Sequence, residues 1–208
     1  MNIDLTNQSP SAMRTVGDFV RGAEPRVRLL DAPLLSMLHG ELIENVGPAN
    51  ARSMMTRFGF SLGGELADAM RTGCPWSSEE EWRHAGPRLV ELDGLLRFEQ
   101  PGSALSRDGL EAFDSMEARE HEALFGAAAS PVCWTLCGLL SGYLTRATGQ
   151  ELFVIEDRCA GMGHQRCHLQ ARTRAEWGAV HEEELRAFEW PDGSERDPKL
   201  RTPSASRH

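Results

Sequence analysis

The sequence predicts an α+β fold, mixed helices with a small antiparallel sheet that includes a strand–loop–strand hairpin. Three observations predict it. Apolar residues recur at helical spacing over several long segments, and short alternating runs lie between glycine-containing turns. The stretch "VIEDRCAGMGHQRCHLQ" (154–170) also places a glutamate, two cysteines and two histidines within thirteen residues, around a loop with two glycines.

Taken in order, Leu34, Leu35, Leu38, Leu42 and Val46 follow helical spacing from Ala32, and Gly47-Pro48 stops it. A second helix is expected from Ala49 to Met70, with Met54, Met55, Phe58, Leu62, Leu66 and Met70 on one stripe. Its glycines, Gly59, Gly63 and Gly64, each lower helix propensity by up to about 1 kcal/mol. They also permit close approach of a backbone or a ligand, and tight helix packing is the expectation. "SSEEEWRHAGPRL" opens with serine at a cap and glutamates in the first turn, and this helix should end before Pro87. "RLVELDGLLRFEQPG" reads as one or two strands around an Asp-Gly turn, "GLEAFDS" as another strand and "MEAREHEALFG" as a short helix.

The best helix signal is "ASPVCWTLCGLLSGYLTRATGQ". There Ser130 can cap, Pro131 takes the first helical position, and Cys133, Cys137, Leu140 and Leu144 share a face. "ELFVIED" is a strand, the glycine loop leads into the strand "CHLQAR", and "AEWGAVHEEELRAFEW" closes as a helix. Residues 1–30 read as an N-terminal arm, expected to contribute a dimer contact, and 31–188 as the main domain. Residues 189–208 are polar, Pro/Ser-rich and aperiodic, and read as a linker or disordered tail.

At 208 residues, with 40% hydrophobic and 25% charged residues, the chain can bury one substantial core. Lys+Arg 22 against Asp+Glu 31 leaves a formal charge of -9, which argues against a surface built to neutralise nucleic-acid phosphates. No apolar run approaches the roughly 18–20 residues of a membrane span. "MNIDLTNQSP" lacks the basic-then-apolar pattern of a secretion signal, so a soluble, cytoplasmic chain is expected. In that setting five cysteines read as core, metal or redox residues rather than as disulfides.

Four of the five, Cys133, Cys137, Cys159 and Cys167, lie within 35 residues. Glu156 stands at a strand end, Cys159 comes three residues later, and the loop "AGMGHQR" can bring Cys167 back to the same point. Cys133, in the first turn of a helix packed on that hairpin, is placed to be a fourth ligand. Three thiolates and a carboxylate make an acceptable tetrahedral zinc site, closed to water and therefore structural. His164 or His168 could replace Glu156, and Cys137 is the rival for the fourth position. A C-x7-C spacing also occurs among plain core cysteines, and Glu156 could pair with Arg158 or Arg166 at the surface. A zinc enzyme using His84, His121 and the cysteines is the competing reading. An open catalytic site would keep three protein ligands beside an acid or base, and the sequence shows no convincing nucleophile–base pair.

"SPVCWTLCGLLSGYLTRATGQELFVIEDRCAGMGHQRCHLQARTRAEWG" resembles the four-vinyl-reductase-type module found in sensor domains of aromatic-responsive, NtrC-type, sigma-54-dependent activators of phenol, xylene and toluene catabolism. "RFGFSLGGELADAMR", "EWRHAGPRL" and "DSMEAREHEALFG" resemble further segments of that family, so the likeness covers roughly residues 28–188. It implies structural zinc on Cys133, Glu156, Cys159 and Cys167, within a module of about residues 125–175. It also implies a homodimer that binds a small aromatic effector in a buried pocket and restrains a downstream AAA+ ATPase domain. His84 of "HAGP" is implied as the partner of an effector hydroxyl, with Leu110, Ala112, Tyr143 and Val154 lining the pocket. Phenol sensors place Trp where this chain has Ala112 and Tyr where it has Val154. Both changes remove a polar tip and volume, so a preference for alkylated benzenes, substituted phenols or bicyclic aromatics over bare phenol is expected. A carrier or vesicle-tethering module of related type would lack the "HAGP" context.

Overall fold

The computed structural model describes residues 32–92, 94–99, 105 and 107–190. The expected arm and residues 191–208 of the expected tail lie outside the described residues. Along the chain come α1 (Ala32–Val46), α2 (Pro48–Gly73), α3 (Glu79–Arg83), α4 (Ala85–Leu92), β1 (Arg97–Phe98) and β2 (Leu110–Phe113). Next are α5 (Met116–Phe125), α6 (Trp134–Thr148), β3 (Phe153–Arg158), a 3-10 turn (Ala160–Met162) and β4 (Cys167–Arg172). The segment closes with α7 (Arg174–Trp177), a second 3-10 turn (Ala179–His181) and α8 (Glu182–Arg186).

The α6 helix is the axis of the molecule, with 13 of its 15 residues buried. A helix covered on every side needs apolar or small residues all round, and "WTLCGLLSGYLT" provides them. Its main partner is α2, and the two cross with Gly59 and Gly63 of one against Gly138 and Gly142 of the other. A Cβ on any of the four would run into a backbone carbonyl of the facing helix: Thr135, Leu139, Thr56 and Phe60 respectively. The glycines in α2 therefore serve helix packing. That contact also sets the phase of α2: Met55, Leu66 and Met70 are buried, whereas Met54 and Phe58 are about 40% exposed. The expected stripe is thus corrected at those two positions, because the face that meets α6 is centred on glycine and not on the bulkiest side chains.

The sheet has the order β1-β2-β4-β3, antiparallel throughout. In β4, Cys167, Leu169 and Ala171 point inward and His168, Gln170 and Arg172 outward. The β3 strand is covered on both faces. Val154 belongs to the main core, while Phe153 and Ile155 join Phe60, Trp177, Leu185 and Phe188 in a second cluster that anchors the C-terminal segment.

Three expected elements are corrected. Arg88–Leu92 is helical and not a strand, because α4 begins at Ala85 and places Pro87 in its first turn, where a missing N–H costs nothing. The central helix starts at Trp134 instead of Pro131. Its first N–H groups are taken by Glu117, whose carboxylate accepts from Thr135 N and Leu136 N at 2.9 Å each. The single closing helix breaks into α7, a 3-10 turn and α8, since Gly178 adopts φ 66°. Among the described residues no helix is long and apolar enough to cross a membrane.

Between α1 and α5, His39 Nε2 meets His121 Nδ1 at 3.0 Å in the interior, and His39 stacks on Trp134. Burial, then the charge of His121, holds His39 down from 6.5 to about 4, and burial also lowers His121. Between those pH values the unfolded chain binds more protons than the fold, so stability falls as pH drops from 6.5 toward about 4. The urea midpoint should decline over that window, and less steeply in the His39→Leu/His121→Leu double variant. Equal slopes would show that the pair stays uncoupled from folding.

Candidate metal centre

The hairpin β3–β4 is irregular at the point where ligands are needed. Glu156 pairs with Leu169 and Arg158 with His168, leaving Asp157 as the extra residue of a bulge. A bulge bends the strand and re-aims the residues beyond it, here turning Cys159 back toward Glu156. The 3-10 turn then ends at Gly163, φ 88°, a left-handed conformation that favours glycine, and the chain returns to Cys167. Cys133 arrives from the opposite side, at the N-cap of α6.

The ligand atoms of Cys133, Glu156, Cys159 and Cys167 all lie within 4.8 Å of one another, and all four residues are buried. Cys133 Sγ stands 3.8 Å from both Cys159 Sγ and Cys167 Sγ. That is too far for a disulfide. It matches the edge of a tetrahedron about a zinc ion with thiolates at about 2.3 Å, which is about 3.8 Å. Glu156 Oε2 accepts from Cys133 N at 3.3 Å, while its buried Oε1 has no hydrogen-bond partner. A carboxylate oxygen left unpaired in an apolar interior is costly, and a cation between the three sulfurs would satisfy it. The donor set therefore fits a divalent metal.

The charges agree with this. Hydrogen bonds from Cys133 and Cys167 push the Cys159 thiol down to about 2. Cys133 is pushed up, first by its bonding to Cys159, and burial pushes Glu156 up. Four acids packed in an apolar enclosure oppose one another's ionisation, and a dication between them would favour their charged forms.

The rival ligands lie elsewhere. Cys137, one turn along α6, is buried and faces a narrow cleft lined by Thr56, Val154 and Phe188 among others. His168 turns outward, bonded to Asp157 Oδ1 at 2.6 Å and to Asp108 O at 3.1 Å, and His164 is exposed.

The residues named for the pocket fall into two groups. Ala112, Tyr143 and Val154 are wholly buried, and Leu110 is half-buried. Ala112 sits directly across from Cys167 and Leu110 from Leu169, so this strand adjoins the candidate metal ligands. Tyr143 donates its hydroxyl to Trp82 O at 2.7 Å, and its ring packs on Gly86, where a Cβ would come within 2.5 Å of Cδ1. The glycine of "HAGP" is thereby explained by close approach. His84 of the same segment caps the end of α3 through its backbone N–H, and its side chain is exposed. Ser115 and Glu117, whose side chains reach Cys133 and the start of α6, are the residues that sequence reasoning left without a role. The signal was present in the segment "DSMEAREHEALFG".

Comparison with known proteins agrees with this anatomy. Residues 14–103 match the family described as "Activator of aromatic catabolism", and residues 113–173 match the four-vinyl-reductase domain. The chain is 31% identical over 163 residues to the transcriptional regulatory protein XylR of Pseudomonas putida, covering 76% of this chain and 29% of that protein. It is 28% identical over 175 residues to the phenol regulator MopR of Acinetobacter guillouiae, covering 81% of this chain and 31% of that one. It thus spans about a third of the length of these relatives. In three dimensions it is similar to the crystal structure of the phenol-responsive sensory domain of the transcription activator PoxR with phenol. The TM-score is 0.70 and the identity 27%, covering 88% of this chain and 100% of that one. The chain thus carries, at residues 14–103, a domain of the family of activators of aromatic catabolism and, at residues 113–173, a four-vinyl-reductase domain.

Proposed function

We propose that this chain is the sensory unit of a transcriptional activator. It binds a small aromatic compound in a buried pocket beside a structural zinc ion held by Cys133, Glu156, Cys159 and Cys167. The observation that carries this reading is the set of four buried candidate ligands, one of them, Cys167, paired across the sheet with Ala112, in a fold shared with a phenol-responsive sensory domain. Four protein ligands leave no open position for a reacting water, which favours a sensor over a zinc enzyme. Effector binding would be passed through the C-terminal segment to an AAA+ ATPase domain in the full-length protein, acting as a homodimer. A ligand can shift that equilibrium only by its differential affinity for the two arrangements.

Ala112 and Val154, both fully buried, would give the proposed pocket an apolar wall with no hydrogen-bonding tip. Alkylated benzenes, substituted phenols and bicyclic aromatics should therefore bind better than bare phenol. Calorimetric titration of the zinc-loaded protein with xylenes, cresols, biphenyl and phenol should give saturable binding, with Kd on the order of micromolar for the best ligand. Val154→Tyr should shift preference back toward phenol. Turnover to product without a stable complex would point to an enzyme instead, and absence of binding to every aromatic would remove the sensor reading.

A further inference from the structure

The segment Ser115-Met116-Glu117-Ala118-Arg119-Glu120-His121 opens α5, and its three polar signature side chains converge on one place. Ser115 Oγ lies 3.1 Å from Cys133 Sγ. Glu117 accepts the backbone N–H groups of Thr135 and Leu136, one on each carboxylate oxygen, at 2.9 Å. The His121 ring stands edge-on to Trp134, 6.3 Å between centroids, and holds His39, which stacks on the same indole. Positions 115, 117 and 121 thus grip four consecutive residues, 133–136. Cys133 itself provides no side-chain cap to α6, so the buried carboxylate of Glu117 takes over that task from a neighbouring helix.

The donor and acceptor roles are then determined. Ser115 Oγ accepts the N–H of Ala118 at 3.3 Å as the cap of α5, which leaves its own O–H free to donate. A thiolate at Cys133 is an acceptor only, so the hydroxyl donates to sulfur once the metal is bound. We propose that Ser115 and Glu117 are positioning residues for the metal centre. Glu117 holds the first turn of α6 so that Cys133 Sγ stands at its vertex, and the Ser115 hydroxyl withdraws charge from that thiolate. The inference rests on the reading of the four ligands as a metal site. It also links the metal centre to the proposed pocket wall through one hydrogen bond and a short stretch of chain, since Ser115 comes three residues after Ala112.

Cobalt(II) binding tests it, because cobalt reports the ligand geometry in its absorption spectrum. Threonine and glycine are equally good helix caps, and they differ here in the hydroxyl. Ser115→Gly should therefore weaken cobalt and zinc affinity about 10–100-fold in chelator competition, the usual effect of losing a hydrogen bond to a metal ligand. It should also move the thiolate-to-cobalt charge-transfer band to lower energy. Ser115→Thr should keep the wild-type band and affinity. Glu117→Gln, which sets an amide N–H2 against one of the two backbone donors, should perturb the d–d bands. If glycine and threonine at 115 give the same spectrum and affinity as wild type, the positioning role is wrong. If wild-type protein itself shows no tetrahedral cobalt–thiolate spectrum, the metal reading fails instead.

Discussion

Replacing Cys159 or Cys167 with serine should abolish metal retention and leave little folded protein. The apparent binding energy of a structural zinc ion in small zinc-binding peptides is about 10–16 kcal/mol, whereas the whole margin of a domain is about 5–15 kcal/mol. Loss of the ion also leaves Glu156 Oε1 without a partner among buried thiols. Circular dichroism on heating should show no cooperative transition, and elemental analysis no bound metal. Cys137→Ala is the matching control. Cys137 is buried one turn away but lies outside the four-ligand group, so that variant should keep its ion and lose about 1–2 kcal/mol. Should Cys159→Ser unfold at the wild-type temperature, the hairpin is held by packing alone.

The second large effect is expected where α2 crosses α6. Gly142→Ala drives a methyl into the Phe60 carbonyl, and Gly63→Ala does the same at Leu139. The obstacle in each case is backbone, which cannot rotate away as a side chain can. Overpacking a core costs about 1–3 kcal/mol, and a clash with backbone belongs at the top of that range. At about 3 kcal/mol, Tm should fall by roughly 6–12 °C for a chain of this size. Gly149→Asn, at an exposed left-handed helix end (φ 70°), should remain within about 1 kcal/mol of wild type, since asparagine tolerates that conformation. A Gly142→Ala protein as stable as Gly149→Asn would mean that the two helices do not approach this closely.

Some of this was legible in the sequence for a physical reason. Glu156, Cys159 and Cys167 belong to one hairpin, so their meeting depends on local geometry that spacing and glycine content reveal. Cys133 could be added because the helix it opens is strongly marked and immediately precedes β3. The short helix α5 was legible too, as the run "MEAREHEALFG" that ends at Gly126.

What escaped depends on long-range packing. The turn at Asp93-Gly94 and the proline at 87 suggested strands, yet Pro87 falls in a helical first turn where its missing donor is harmless. Met54 and Phe58 were assigned to the buried stripe by bulk, but contact with α6 selects the glycine face. The pairing of His39 with His121 joins residues 82 apart in sequence, and no local pattern announces it. Glu117 capping a helix 18 residues later is of the same kind.

The central claim is that one zinc ion joins the hairpin β3–β4 to the start of α6. The most direct test is elemental analysis of protein purified through metal-free buffers, paired with thiol titration before and after denaturation. About one zinc per chain is predicted, with Cys133, Cys159 and Cys167 unreactive toward thiol reagents until the ion is chelated. A folded protein carrying no zinc, with those three thiols reacting as soon as reagent is added, would contradict the account.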